Sequence, residues 1–327
     1  MTKRLLHIQG MHGLGDCLHQ RAIIRQLLPD NDITLETSWP SVYHDLPIKC
    51  LKKPVGLRTQ AKNAQREFTR FAERGHPSNG EYVSCLRLSY SGDQIKRTAS
   101  KTVLEAMCDV GRVSYASADF TIPVPTEWKT RLRDVLGDLP HQAFTRPWMV
   151  YRPLTIRPEW RGSHGRNPDP AVYAALFRGL RDSFFVVSVA DLAPGCEWIS
   201  GPDMDFDLRF HAGELHFELL AALFQRADLV YTPSGCGAIL GPSVGTTNLS
   251  IVGGYELTGC HDSGRKFAPY LALGPIQECG CWSSACGRRC SKQFDASQTI
   301  ARLQAWLADH FQNTAFHAEV PRAGERA

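Results

Sequence analysis

The chain alternates along most of its length between short apolar runs and longer amphipathic runs. The short apolar runs are typical of buried strands, and the longer runs have the periodicity of helices. Strand–helix alternation favours parallel, doubly wound sheets. Residues 139–147 interrupt the alternation because Pro140 and Pro147 disfavour both patterns, and we interpret them as an interdomain linker.

We therefore predict an α/β protein with two Rossmann-like, doubly wound domains that face a cleft. The predicted N-terminal domain spans residues 1–145, the C-terminal domain spans 146–310, and 311–327 form a flexible tail. Strands are expected at 5–9, 33–37, 82–90, 148–151, 184–189, 228–231 and 247–252. Helices are expected at 17–28, 57–74, 93–109, 170–182, 214–226, 235–243 and 296–310. Such folds bind ligands at the carboxyl ends of their strands.

The composition is that of a globular protein, and no apolar stretch approaches the roughly 20 residues of a membrane span. The first residues, Met1–Arg4, do not lead into the apolar core and cleavage site of a secretory signal. Seven of the eleven cysteines are scattered, which is common where thiols stay reduced. We predict a cytoplasmic protein without a membrane span.

A glycine-rich turn, Gly10–Gly15, follows the first predicted strand and leads into a helix. Glycine lets a backbone approach a ligand closely, and helix N-termini attract anions. Asp16 and His19 lie at the start of this helix. Asp16 is either a functional carboxylate or a solvated first-turn residue that interacts favourably with the helix dipole. His19 is either functional or a partly buried helix histidine.

A second turn of small residues, Thr-Pro-Ser-Gly-Cys-Gly at 232–237, lies between a predicted strand and a predicted helix. Its hydroxyls and backbone N–H groups at a helix N-terminus form a candidate phosphate cradle.

Together, the two turns resemble those of the ADP-heptose heptosyltransferases, a family of GT-B glycosyltransferases. Residues Gly15–His19 match the family's Gly-Asp-x-x-His element, and Ala227–Val230 with Thr232 match the strand that leads into its donor loop. The donor loop departs from the family, which has Asp, Gly and His, at three positions: Tyr231, Pro233 and Cys236.

The resemblance implies an inverting transfer of a sugar from a nucleoside diphosphate to a hydroxyl, without a metal or other catalytic cofactor. Asp16 would be the general base that takes the hydroxyl proton, and His19 would orient the acceptor or the base. Arg152 or Arg157 would meet the donor phosphates, unless these arginines are only part of a solvated loop. The residues expected to bind the donor are Gly13, Gly15, Arg152, Arg157, Glu218, Thr232, Ser234, Gly235 and Cys236.

The net charge is only +4, but residues 51–75 hold seven basic side chains and two acidic ones. Five of the basic residues recur every four positions and fan across one side of the helix predicted at 57–74. They are Arg58, Lys62, Arg66, Arg70 and Arg74, of which we select the first four as candidate acceptor-binding residues. This side of the helix is either a solvated face or a site for an anionic acceptor, such as a phosphorylated glycan or nucleic acid.

Four cysteines lie within twelve residues, at Cys279, Cys281, Cys286 and Cys290. The spacing permits a tetrahedral structural zinc site, and free thiols or disulfides are the alternatives. Four cysteine ligands would leave no open position for catalysis.

The sequence thus predicts a cytoplasmic glycosyltransferase that acts on an anionic acceptor, either a lipopolysaccharide-type glycan or a modified DNA base. The departures in the donor loop support an alternative, a non-catalytic nucleic-acid-binding protein on a degenerate GT-B scaffold. The retention of Asp16 argues against that alternative.

Overall fold

The computed structural model describes residues 3–71, 84–97, 102–159, 163–282 and 290–311. They form two parallel sheets with helices packed against them, as the alternation predicts. None of the helices in these ranges is long and apolar enough to cross a membrane.

The N-terminal sheet has four parallel strands in the order β3-β2-β1-β4. Its strands are β1 (Arg4–Gln9), β2 (Asn31–Thr37), β3 (Lys49–Lys52) and β4 (Ser84–Arg87). The helices of this half are α1 (Leu14–Leu27), α2 (Arg58–Phe71), α3 (Gly92–Arg97), α4 (Val103–Gly111) and α5 (Thr126–Leu136). A short 3₁₀ helix covers Pro40–Tyr43 and packs against α2.

The C-terminal sheet has six parallel strands in the order β12-β11-β10-β5-β7-β9. Its strands are β5 (Trp148–Tyr151), β7 (Phe185–Val189), β9 (Leu208–Phe210), β10 (Leu229–Pro233), β11 (Thr247–Ile251) and β12 (Tyr270–Leu273), and a separate antiparallel pair joins β6 (Thr155–Ile156) and β8 (Trp198–Ile199). The helices are α6 (Gln142–Thr145), α7 (Ser163–Arg166), α8 (Pro170–Arg181), α9 (Phe217–Arg226), α10 (Cys236–Ser243) and α11 (Ala296–His310), with a 3₁₀ helix at Thr258–Lys266.

The strand order fixes where a ligand can bind. In the C-terminal sheet the chain runs outward from β5 through β7 to β9, and then returns to β10 and runs outward on the other side. In the N-terminal sheet the reversal lies between β1 and β4. Ligands of doubly wound sheets bind outside the carboxyl ends of the strands at such reversals. The segments after β1, β4, β5 and β10 are therefore the expected site.

The core continues from one sheet to the other. Ile8 and Leu18 of the first half belong to the same buried cluster as Val150 and Leu240 of the second. Strands β5 and β7 are buried at every position, which matches their uninterrupted apolar sequences. A second cluster fills the other face of the C-terminal sheet.

Helices α1 and α10 bring the two halves together at their N-terminal ends. Gly15 makes this contact possible, because a Cβ atom there would lie 2.8 Å from Ile239 Cδ1 and 3.4 Å from Cys236 Cα. A larger residue at position 15 would push the helices apart.

The predicted elements differ from the structure in several places. The helix expected at 93–109 is wrong as one element, since Thr102 has an extended backbone and is the N-cap of a separate helix, α4. The predicted linker contains the short helix α6. The sequence patterns did not predict β3, β9, β12 or α5. The predicted tail lies outside the described residues except for Phe311, whose ring contacts that of Phe184.

Candidate active site

A cavity of about 640 Å³ lies where the carboxyl ends of β1, β5 and β10 meet, and residues of both halves line it. The predicted site residues that line it are Gly13, Gly15, Asp16, His19, Arg66, Arg152, Arg157, Thr232, Ser234, Gly235 and Cys236. Glu218, Arg58, Lys62 and Arg70 do not line it. The cavity therefore unites the two turns that the sequence singled out.

Two helix N-termini open into this cavity. Gly13 is the N-cap of α1 and Gly235 is the N-cap of α10, and neither supplies a side-chain oxygen to the first N–H groups of its helix. Gly235 has a φ of 141°, in the region that favours glycine. Uncapped N–H groups and the helix dipoles together favour an anion at this place.

Asp16 lies in the first turn of α1, and Gly13 makes room for its carboxylate. A Cβ atom at Gly13 would lie 2.5 Å from Asp16 Oδ2. Tyr90, which follows β4, forms a hydrogen bond with Asp16. Burial raises the pKa of Asp16 to about 6, while Arg166 and Tyr90 act in the opposite direction. A carboxylate with this pKa is ionised at neutral pH and is a stronger base than an ordinary aspartate.

His19 is a core residue with one edge at the cavity. Its side chain is 1% exposed, and its ring packs edge-on against Phe120 with the centroids 5.4 Å apart. Neither ring nitrogen has a hydrogen-bond partner among the described residues. Burial lowers the pKa of His19 to about 3, so the imidazole is neutral at physiological pH. This environment resembles the partly buried histidine that the sequence left open.

A buried ionic group next to Asp16 is the main feature that the sequence reasoning missed. Arg166 forms an ion pair with Glu256 at 2.8 Å, and His261 Nε2 lies 3.5 Å from the same carboxylate and 3.3 Å from Ser234 Oγ. Burial opposes the charge of Glu256, but Arg166 and His261 outweigh burial and lower its pKa. Glu256 follows β11, so the carboxyl-end rule could have identified it.

Arg152 and Arg157 both line the cavity, but they have different partners. Arg152 follows β5 directly and donates a hydrogen bond to Cys236 Sγ at 2.5 Å. Gly237 allows this approach, because a Cβ atom there would lie 3.1 Å from Arg152 Cδ. Arg157 forms an ion pair with Glu197, whose carboxylate is buried, at 2.5 Å. Arg152 therefore contacts the first residue of α10, Cys236.

We call Arg58, Lys62, Arg66 and Arg70 the basic row of α2. Three of the four bind carboxylates of the C-terminal half, which neither the solvated face nor the acceptor site predicted. Lys62 and Arg66 pair with Asp191 at 2.7 and 3.3 Å. Arg66 also donates to the carbonyl of Gly213 at 3.0 Å. Arg58 alone of the row stays largely exposed, with 81% of its side chain accessible. The remaining position considered in the sequence, Arg74, lies outside the described residues.

Glu218 joins the same interface between the halves. Its carboxylate is 2.6 Å from Arg70 and 2.7 Å from Arg131, and its side chain is 9% exposed. Its position does not favour the predicted contact with a donor, because Glu218 does not line the cavity and its Oε2 atom accepts hydrogen bonds from both guanidinium groups. The solvated helix face and the donor contact are thus replaced by ion pairs that hold α2 and α5 against the C-terminal half.

Three of the four clustered cysteines, Cys279, Cys281 and Cys290, lie together and form what we call the thiol cluster. Their Sγ atoms all lie within 4.8 Å of one another, and the Sγ atoms of Cys281 and Cys290 are 3.5 Å apart. The three are unbridged. Cys286 lies outside the described residues. The cluster adjoins Trp282, whose ring lies edge-on to Tyr90 with the centroids 5.9 Å apart.

Two other sets of side chains could in principle bind a catalytic metal ion. Glu256, Cys260 and His261 have potential ligand atoms within 4.8 Å of one another, but the Arg166 guanidinium already occupies one side of Glu256. The acidic run 203–207 does not line the cavity, and Asp207 in it pairs with Arg181 at 3.0 Å. A buried guanidinium opposes the binding of a second cation beside the same carboxylate.

No protein-family model and no curated protein matches this sequence. Solved structures do match its fold. A family 9 glycosyltransferase from Veillonella parvula has 13% identity and a TM-score of 0.56, over 94% of this chain and 97% of that one. The ADP-heptose lipopolysaccharide heptosyltransferase II of Escherichia coli has 12% identity and a TM-score of 0.54, over 94% and 99%.

The iron-containing dodecameric glycosyltransferase TibC of Escherichia coli is also similar, with 10% identity and a TM-score of 0.57 over 94% of this chain and 77% of that one. The fold is therefore that of the GT-B glycosyltransferases. Within that class it is similar to the heptosyltransferases, which confirms at the level of the fold the resemblance found in the two turns.

Proposed function

We propose that the protein is an inverting glycosyltransferase that moves a sugar from a nucleoside diphosphate to a hydroxyl, with Asp16 as the general base. The observation that carries the proposal is the environment of Asp16. Its carboxylate has a raised pKa and lies in a cavity beside two helix N-termini and Arg152. A base and an anion site in one cavity are what this transfer needs.

The chemistry assigned to Asp16 follows from its pKa. At pH 7 a group with a pKa near 6 is ionised in roughly nine molecules of ten. The acceptor oxygen attacks the anomeric carbon while its proton passes to Asp16 and the bond from that carbon to the diphosphate breaks. Attack from the side opposite the leaving group inverts the anomeric centre. His19, neutral and buried, would help to fix the walls of the cavity around α1.

The leaving diphosphate gains negative charge during the transfer. We assign its site to the N-termini of α1 and α10 and to Arg152, with Thr232, Ser234 and Cys236 around it. Aimed N–H groups and a guanidinium stabilise such charge without reorganisation. No metal ion is assigned a role in this step, because Arg166 already neutralises Glu256.

The names of the similar proteins suggest which nucleotide sugar is the donor. Two of them are named for ADP-heptose, one as an ADP-heptose transferase and one as a heptosyltransferase in complex with ADP-D-β-D-heptose. We propose an ADP-sugar donor for this chain.

The anionic acceptor expected from the basic row is not part of the proposal. Lys62, Arg66 and Arg70 already have carboxylate partners, so a phosphorylated glycan or DNA would have to displace Asp191 and Glu218. The same pairs occupy most of the basic surface that a nucleic-acid-binding protein would use, although they leave the departures in the donor loop unexplained.

We also propose that the thiol cluster holds a structural metal ion, with zinc as the first candidate. Three thiols with ligand atoms within 4.8 Å of one another suit the tetrahedral thiolate site that zinc prefers. Iron is the other candidate, since the similar protein TibC is described as iron-containing. Elemental analysis of purified protein should find about one metal ion per chain, and a folded protein purified without bound metal would contradict this assignment.

A donor screen tests the proposed activity. The protein is mixed with ADP-, UDP-, GDP- and CMP-sugars, with and without EDTA, and thermal unfolding and sugar release are followed. We expect stabilisation and slow hydrolysis with an ADP-sugar, unaffected by EDTA. Arg152→Ala should weaken donor binding about tenfold or more, since hydrogen bonds to charged groups contribute about 1.5–3 kcal/mol. If no donor stabilises the protein, the glycosyltransferase proposal fails.

A further inference from the structure

We propose that the N-terminal part of the cavity is an acceptor subsite for a neutral carbohydrate that stacks on Trp39. The inference rests on the proposed glycosyl transfer and specifies its acceptor. It is carried by the side chains that α2 turns toward the cavity, which differ in character from the basic row on the same helix.

The cavity-facing side of α2 is polar but largely uncharged. Thr59, Gln60 and Asn63 line the cavity from α2 together with the charged residues Arg66 and Glu67. Trp39 and His12 line it from the segments that follow β2 and β1. The 3₁₀ helix at Pro40–Tyr43, which comes directly after Trp39, packs against α2. The tryptophan and the polar side of α2 therefore border the same part of the cavity.

Several of these polar side chains contain a buried atom without a hydrogen-bond partner among the described residues. Thr59 is 5% exposed, and its Oγ1 has no partner within the part of the chain that the structure describes. The same holds for Asn63 Oδ1 and His12 Nδ1. Buried polar atoms are almost always paired in folded proteins. These unpaired atoms belong to residues that line the cavity, so a rotation of each side chain would offer them to a ligand there. Hydroxyl groups can serve all three, since each both donates and accepts.

Trp39 supplies an apolar surface of fixed orientation. Its indole N–H donates to the carbonyl of His12 at 3.0 Å, which occupies the polar edge of the ring. The ring is only partly buried and borders the cavity. An amphipathic ring held in this way presents a face that suits the C–H side of a sugar, while the amides and hydroxyls nearby suit its oxygens.

The charges around this part of the cavity disfavour an anion. Arg66 is the cation of α2 that reaches the lining, and Asp191 and Gly213 already hold its guanidinium. Burial and the nearby Lys53 lower the pKa of His12, which keeps it neutral. Glu67 accepts a very short hydrogen bond from Ser41, and burial raises its pKa to about 7. Its carboxyl group is therefore partly ionised at neutral pH and would repel an anion.

The subsite also lies next to the catalytic base. His12 and Gly13 belong to the turn that ends at Asp16, and all three line the same cavity. A sugar between Trp39 and α2 would therefore lie within reach of Asp16, as the attacking hydroxyl requires.

The test compares acceptors of matched size and opposite charge with ADP-heptose as donor. The neutral acceptors are methyl glycosides of glucose, mannose and galactose, and the matched anions are the 6-phosphates of the same sugars. A serine-containing peptide is added as a neutral acceptor without a sugar ring. We expect transfer to a methyl glycoside, with an acceptor KM that changes less than twofold between about 0.05 and 0.5 M NaCl.

Two variants locate the acceptor. Trp39→Ala and Asn63→Ala should each raise the acceptor KM about tenfold or more, and the rate of donor hydrolysis in water, measured in parallel, separates this effect from a general loss of activity. Arg58→Ala, on the same helix but exposed and outside the cavity, is the matched control and should change neither. Asn63→Ala keeps the test valid if Trp39→Ala lowers the melting temperature.

The outcomes separate this inference from the proposed function. Transfer only to sugar phosphates, or only to the peptide, would overturn the neutral-carbohydrate subsite while leaving the transferase intact. An unchanged acceptor KM in both variants would overturn it as well. Absence of donor hydrolysis and transfer under every condition would instead contradict the transferase itself.

Discussion

The turn after β1 and the basic row of α2 both predict ligand binding from the sequence. In the structure the turn lines the cavity, whereas most of the basic row forms ion pairs with the C-terminal half. The turn lies at the carboxyl end of a central strand, next to the point where the strand order reverses. That topology alone places Gly13 and Asp16 at the cavity, independently of side-chain contacts elsewhere in the chain. The residues of the turn are thus placed by the fold itself.

The basic row has no such constraint. Its position on a helix surface fixes only which side chains are neighbours, and their partners come from elsewhere. Asp191 and Glu218, which bind Lys62, Arg66 and Arg70, are at least 125 residues away along the chain. A motif at the carboxyl end of a central strand therefore predicts a ligand site more reliably than a charged helix face does, because the strand order fixes its position.

The largest effect should come from Asp16→Asn, which tests the first side of this comparison. Removal of the general base should lower the transfer rate about 10²–10⁴-fold while donor binding persists. Because burial raises the pKa of Asp16, its ionised form destabilises the fold above about pH 6. The variant should therefore be at least as stable as the wild type at pH 8. Single-turnover kinetics and thermal unfolding measure both.

Asp32→Asn, at an exposed position on β2, is the matched control and should retain full activity. An active Asp16→Asn enzyme would show that the carboxylate at the strand end is structural. In that case the turn after β1 would predict a catalytic site no better than the basic row of α2.

The sequence predicted most of the fold because each half has strong periodic signals. The strands at 148–151 and 247–252 and the helix at 296–310 agree with the structure to within a residue or two. Strands β3 and β9 were missed because they are short and mix charged with apolar residues, whereas the equally short β5 is apolar throughout. In the site, Asp16 and Arg152 were found from strand ends. Glu256 and Tyr90 also follow strands, β11 and β4, but they were missed because no motif accompanies them and their role depends on contacts across the cavity.

The next effect concerns the second side of the comparison. Glu218→Ala should lower the free energy of unfolding by about 1–3 kcal/mol, because it leaves Arg70 and Arg131 without their shared carboxylate at a largely buried position. Chemical denaturation measures the change. A double-mutant cycle with Arg70→Ala isolates the coupling between the two residues.

Glu127→Ala is the matched control for Glu218. Glu127 also lies near Arg131, at 3.9 Å, but its side chain is 76% exposed, so the change should stay within about 0.5 kcal/mol. Equal effects of the two substitutions would mean that the ion pairs of this interface add nothing, and that the basic row is again open to an anionic ligand.

The smallest effect should come from Tyr90→Phe, which sharpens the account of Asp16. The hydrogen bond from Tyr90 lowers the pKa of Asp16 against the opposing influence of burial. Without it the pKa of Asp16 should rise above about 6. The acid limb of kcat/KM, which reports the free enzyme, should then move to higher pH. Activity should fall several-fold near pH 6 and converge with the wild type near pH 8.

Tyr115→Phe provides the control, because Tyr115 does not line the cavity and its hydroxyl forms a hydrogen bond with Thr102 instead. Its pH profile should match that of the wild type. If the acid limb of Tyr90→Phe stays in place or moves to lower pH, the titrating base is not the carboxylate that Tyr90 touches. A shift that follows only Tyr90 would tie the activity to the segments after β1 and β4, where the reversal of the N-terminal sheet places Asp16 and Tyr90 side by side.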